Sequence, residues 1–345
     1  MAERLHAGSG AVEPGRVAEI FGAVSSAEAR QRADLTGAFV AGWADAGLHP
    51  ETFWLGYATG PAAAWHPDSS GPDELMDTFY SLFYGPGQRG MPRLYELMSR
   101  QARSWEDSWE RAPSQARTPI FGYSHGIFNP PHPAEDATLP PLPVPSPDDL
   151  KLDKDWSGAN HRRLELARQF LAENRELLTL LEENRSRVRF NRYNLDVFLS
   201  IARLCGQHLE MLLDLGRIDG ELKAAQDLAG SAPAKALAHV DEALDAARRI
   251  WLRRNQAYHE TVAVWYRSWF PRVLEANGRR YLDQVDDVKD HRPVRTVDMS
   301  YLIYPELMYP LGDWAAGTES ARNQFAQARG FAARHRGLEW GNTGP

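Results

Sequence analysis

Residues 35–43, "LTGAFVAGW", constrain the fold of this 345-residue chain more than any other stretch. The run is apolar, holds the strand formers Phe39 and Val40, and turns polar at Asp45. Pro50 and Glu51 then open a helix signal that extends to about residue 64, with a break expected at Gly60-Pro61. A buried strand without neighbours leaves N–H and C=O groups unpaired on both edges. Almost nothing else in the chain reads as strand. The run therefore demands partner strands, either from another chain or from a larger α/β parent of which this chain is the tail, and the weak N-terminal pattern favours the parent.

After residue 70 the sequence turns helical. Leu75, Phe79 and Leu82 recur at helical spacing, as do Leu94, Leu97, Met98, Trp105 and Trp109 in the next segment. Residues 113–147 contain ten prolines, which excludes a helix there. They predict a packed aromatic loop at 120–129 and a polyproline-like connector through Pro147. Helices are expected over 159–184, 188–215 and 233–277, the last kinked by Pro271 and capped by Asn277-Gly278. A final helix is expected over 320–336, after an irregular stretch at 295–314. The fold class is thus mainly α: a helical domain at 71–345, preceded at 1–70 by a remnant βα unit.

The formal charge of −7 argues against nucleic acid as a partner. The first residues show no apolar run resembling a signal peptide, and no stretch approaches the roughly 18 apolar residues of a membrane span. Cys205 is the only cysteine, set in an apolar helical pattern, and reads as core. The 11 tryptophans invite the search for aromatic-walled pockets. Asp286, Asp287, Asp290 and His291 have a spacing that can bind metal on a helix, but they read as a solvated acidic face. Trp105/Trp109 and Trp265/Trp269 read as core pairs rather than sugar platforms. No metal and no cofactor is expected.

"GAFVAGWADAGLHPETFWLGYATGPAAAW" resembles the last strand and last helix of the catalytic barrel in glycoside hydrolase family 20, the β-N-acetylhexosaminidases. "LFYGPG", "YELMSRQARSWEDSW", "RYNLDVFLSIARL" and "RTVDMSYLIYPE" resemble the C-terminal helical region of large bacterial proteins related to that family. The resemblance implies that residues 1–70 end a (β/α)8 TIM barrel, with its last strand at about 35–43 and its last helix at about 50–64. It implies that Trp43 walls a pocket for a terminal N-acetylhexosamine and that Asp45 binds the sugar's distal hydroxyls. The family has Glu where this chain has the shorter Asp45. The same physics supports the placement, because barrel enzymes work at the C-terminal ends of their strands. The competing reading makes Trp43 core and Asp45 a helix cap. His49 and Trp54 are further substrate-binding candidates, against plain packing at the helix start.

The resemblance also implies an Asp-Glu catalytic pair at the end of a fourth strand. Asp73-Glu74 starts a helix and Asp241-Glu242 lies inside one, and neither follows an apolar strand. No catalytic residue is therefore assigned. The expected role is a sugar-pocket wall plus a buttressing helical domain, without hydrolytic activity in this chain alone. The alternative is a non-enzymatic helical module that binds carbohydrate or protein.

Overall fold

The computed structural model describes residues 49–65, 71–109, 141–265, 267–268, 273–282 and 311–336. Trp43, Asp45, the run at 35–43, the loop at 120–129 and the acidic group at 286–291 lie outside these residues. The chain is mainly helical. A 3-10 turn at Pro50–Phe53 leads into α1 (Trp54–Trp65), followed by α2 (Pro72–Tyr84) and α3 (Met91–Trp109). Then come a single turn, α4 (Trp156–Ala159), and three long helices, α5 (His161–Arg187), α6 (Arg192–Leu228) and α7 (Pro233–Trp265). A hairpin of β1 (Val273–Ala276) and β2 (Arg279–Leu282) precedes α8 (Leu311–Gln327).

Local chemistry explains the helix limits. Gly71 and Pro72 open α2, Asp73 and Glu74 complement its N-terminal dipole, and Gly85 at φ 77° ends it. α8 ends in a Schellman arrangement: Gly330 has φ 77°, and the Phe331 N–H donates to the Ala326 carbonyl at 2.8 Å.

Several expectations are corrected. α1 runs through Gly60-Pro61 without a break, although Pro61 has no N–H to offer the Tyr57 carbonyl. Asn277-Gly278 does not cap a helix; with φ values of 54° and 71° it forms the two-residue turn of the β1–β2 hairpin. The final helix is α8, which begins nine residues before 320 and ends at Gln327, with 331–336 outside it. Leu82, expected on the inner face of α2, is 76 % exposed, while Tyr80 and Tyr84 turn inward.

The chain divides into two compact units. Of the described residues, the first gathers 49–65, 71–106, 173–203, 261–265, 267–268 and 273–282; the second gathers 107–109, 141–172, 204–260 and 311–336. In the first, Leu55, Tyr80, Tyr84, Leu94, Leu97, Met98, Leu177, Leu181, Phe198 and Trp265 form a buried core. Each such side chain contributes about 1.5–3 kcal/mol by leaving water. Asn174 is buried there and satisfied by Gln101 and by the Ala202 carbonyl. In the second unit, Trp156, Leu164, Leu212, Leu215, Ile218, Val240, Leu244, Ile250, Trp314 and Phe325 are buried. Gly216 lets α6 approach α5 closely, since a Cβ there would sit 3.1 Å from Leu164.

The end of the proline-rich stretch is not a bare connector. Leu142 is 3 % exposed and Leu150 is fully buried, and the Trp314 indole donates to the Pro143 carbonyl at 2.9 Å. Two ionic clasps finish this unit. Lys223 bridges Asp155 and the fully buried Asp219. Arg322, Arg334 and Arg336 converge on Asp241, tying residues 331–336 to α7.

Candidate functional site

His49 begins the 3-10 turn with extended backbone, φ −71° and ψ 130°. Its carbonyl accepts from the Thr52 N–H at 2.9 Å and from the Thr52 hydroxyl at 2.8 Å. Its Nδ1 accepts from the Glu51 N–H at 3.2 Å. The ring is 1 % exposed, with Tyr193 and Trp265 against it edge-on at centroid distances of 5.8 and 5.2 Å. Nε2 lies 3.2 Å from the Tyr193 hydroxyl and 3.1 Å from Ser268 Oγ, which are themselves 2.8 Å apart. Tyr193 donates to the Val264 carbonyl at 3.0 Å. Burial pushes the imidazole down to about 4, and a hydrogen bond to the Trp265 backbone offsets only part of that.

This geometry fixes the tautomer. Nδ1 takes a backbone N–H, so it carries no proton and the neutral ring keeps its proton on Nε2. The Ser268–His49 contact is therefore the wrong way round for nucleophilic catalysis. A general base needs its lone pair on the nitrogen that faces the hydroxyl. His49 acts as a pin that joins the start of the 50–65 segment to Tyr193 and to the end of α7.

A second tie lies beside it. The Asn194 amide donates to the Glu51 carbonyl at 2.7 Å and to its carboxylate at 3.2 Å. Asn194 Oδ1 accepts from the Tyr84 hydroxyl at 2.6 Å, and Tyr95 stands 2.7 Å from that hydroxyl. Since Tyr84 spends its proton on Asn194, Tyr95 is the donor to Tyr84. Burial raises both phenols well above their ordinary value, so the chain of hydroxyls stays neutral. Arg267 lies 4.6 Å over the Tyr193 ring and pairs with Asp196 at 2.6 Å. Burial alone would raise Asp196, but the Arg267 and Arg185 hydrogen bonds bring it below the usual carboxylate range.

Trp54, the other predicted residue within the described part, is 44 % exposed. Its indole lies 6.3 Å from Tyr57 and 6.1 Å from Phe83, which stacks on Phe79 at 4.7 Å. It is the exposed end of an aromatic row, a surface on which a pyranose face can stack. Glu74, Asp77, Thr78, Ser81 and Leu82 form one open, solvent-facing side of α2. Among the described residues no three His, Cys, Asp or Glu side chains gather to hold a metal ion. Cys205 is buried, and burial pushes its thiol up, away from nucleophile chemistry.

Tyr193, Asn194 and Ser268 were not singled out in the sequence. The available signal was polarity in the wrong place: Asn194 is 1 % exposed at the head of an apolar helix. Its partner Glu51 lies 143 residues away, which no local pattern encodes. No family model matches this chain, and comparison with curated proteins and with solved structures finds no match.

Proposed function

We propose that this chain is the C-terminal portion of a hexosaminidase-like glycoside hydrolase, contributing a wall of the sugar pocket and a helical buttress for the barrel. The observation that carries this reading is the docking of the 50–65 segment. The segment is helical over Trp54–Trp65, in keeping with a helix expected at about 50–64, and its start is pinned at two points, His49 to Tyr193 and Glu51 to Asn194. A pair of sugar-contacting residues at 43 and 45 would call for a firmly held segment after them, and this one is firmly held. In this reading the partner is an N-acetylhexosamine-type sugar, and the missing barrel strands come from the same parent chain or a partner chain.

The alternative, a non-enzymatic carbohydrate- or protein-binding helical module, draws its support from Trp54 and Phe83. Trp54 is exposed and Phe83 half-buried beside it, an edge that suits a sugar face without any catalytic group.

The test is made on the product of the full reading frame, assayed with an aryl N-acetyl-β-glucosaminide. Asp45→Ala is expected to lower kcat/KM about tenfold to a hundredfold, since a hydrogen bond to a charged group is worth roughly 1.5–3 kcal/mol. Unchanged kcat/KM with lowered stability would make Asp45 a helix cap and remove the sugar-binding role. A frame that encodes no strand-end Asp-Glu pair and shows no turnover would favour the binding module.

A further inference from the structure

In a chain of net charge −7, residues 184–195 hold four arginines and no acidic residue. Arg185 is taken by Asp196. Arg187, Arg189 and Arg192 are exposed and enter no ion pair among the described residues. Phe190 stands among them at 47 % exposure, with the Arg189 guanidinium 5.2 Å from its ring centre.

The turn between α2 and α3 adds a fourth guanidinium to the same corner. Asn184 holds the Arg89 backbone on both sides, accepting from its N–H at 2.7 Å and donating to its carbonyl at 2.7 Å. The N–H groups of Arg189 and Phe190 both donate to the Tyr84 carbonyl, at 3.0 and 3.1 Å. Gly85 and Gly87, at φ 77° and 103°, allow this approach. A Cβ on Gly85 would come within 2.9 Å of the Phe190 ring, and one on Gly87 within 3.1 Å of the Arg187 carbonyl. Arg89 is exposed and likewise has no ion pair among the described residues. The backbone of this corner is thus fixed, while its four cations face water.

We propose that the corner formed by Arg89, Arg187, Arg189, Arg192 and Phe190 is a docking surface for a short anionic saccharide carrying carboxylate or sulfate groups. Planar guanidinium forks match carboxylate and sulfate oxygens two at a time. An exposed benzene ring beside them offers an apolar face to the C–H side of a sugar ring, a feature that a purely anionic peptide does not use. The net charge of −7 selects a short ligand. A long nucleic acid or an anionic bilayer would meet the acidic remainder of the surface, whereas a few sugar units touch only this corner. The surface is argued from charge and shape at the corner, so it stands or falls separately from the hydrolase reading.

The experiment measures binding of a heparin-derived hexasaccharide to the whole chain by calorimetry, without any turnover assay. The neutral N-acetylglucosamine hexamer, hexaglutamate and a single-stranded DNA hexamer serve as competitors. The sulfated hexasaccharide should bind, lose affinity as salt is raised, and bind at least tenfold more weakly to the Arg187→Ala/Arg189→Ala/Arg192→Ala variant. All three side chains are exposed, and far-UV circular dichroism checks that the variant is folded. If it is not, Arg189→Glu alone should produce a similar loss. The proposal is overturned if the wild-type chain does not bind the hexasaccharide or if the folded variants bind it equally well. It is also overturned if hexaglutamate or the DNA hexamer competes as strongly as the hexasaccharide itself.

Discussion

His49 shows how one side chain can look like chemistry and serve architecture. Its imidazole touches a serine and a tyrosine, yet its proton sits on the nitrogen that faces them. The same burial makes it a pH-dependent element of stability. Folding lowers its value from 6.5 to about 4, so between those pH values the unfolded chain binds more protons at this site than the folded one. The stability held by the neutral ring is complete above about pH 6.5 and is lost as pH falls towards 4. His208, buried in the second unit and pushed down to about 3 mainly by desolvation and then by the Arg163 charge, acts in the same direction. Each such proton contributes a slope of about 1.4 kcal/mol per pH unit. Urea unfolding of His49→Asn between pH 4.5 and 6.5 should therefore show a slope smaller by roughly one proton than the wild type, with the His208 component remaining. An identical slope in the two proteins would mean that the folded state does not hold His49 neutral. Asn keeps a cap acceptor at this position, so the comparison isolates the titration from the loss of the cap.

At the scale of elements, the long helices were legible because their apolar residues repeat every three to four positions over many turns. Of the stripe expected for α6, Val197, Phe198, Ile201, Leu204, Leu209 and Leu212 are buried, while Leu213 is half-buried. The ends were harder to read, because one residue pair can serve two structures. Asn277-Gly278 offers positive φ, which suits a helix C-cap and a tight hairpin equally, and only the pairing of Val273 with Leu282 separates the two. The ties that hold the 50–65 segment were not legible at all, since His49 meets Tyr193 across 144 positions. Two glycines test the assignment of the ends. Gly220 lies within α6 with open space where a Cβ would go, so Gly220→Ala should stabilise the protein by up to about 1 kcal/mol. Gly330 also has open space but sits at φ 77°, so Gly330→Ala should destabilise it by about 1 kcal/mol. Opposite shifts of the thermal midpoint check both together; two shifts of the same sign would contradict one of the helix limits.

At the scale of the whole molecule, the question is whether these residues contain the means to cleave a glycosidic bond. A general acid working near neutral pH needs a carboxyl group whose proton affinity is raised by an enclosed, apolar or like-charged setting. Among the described residues, the carboxylates with displaced affinity are all displaced the other way. Lys223 lowers Asp155 and Arg93 lowers Glu176, while Asp196 and Asp241 fall below the usual range because their arginine partners outweigh burial. Each is an anion held by a cation, ready to brace helices and not to donate a proton. Asp73 and Glu74, the pair nearest in type to a catalytic Asp-Glu, are exposed in the first turn of α2, where they complement the helix dipole. The expected outcome is that this chain alone gives no turnover of aryl N-acetyl-β-glucosaminides or galactosaminides above a protein-free blank. The assay should span pH 4 to 8, so that an acid with an unusual value is not missed. Turnover well above the blank that disappeared on replacing a single carboxylate of this chain would overturn the expectation, and the residue so identified would be the acid.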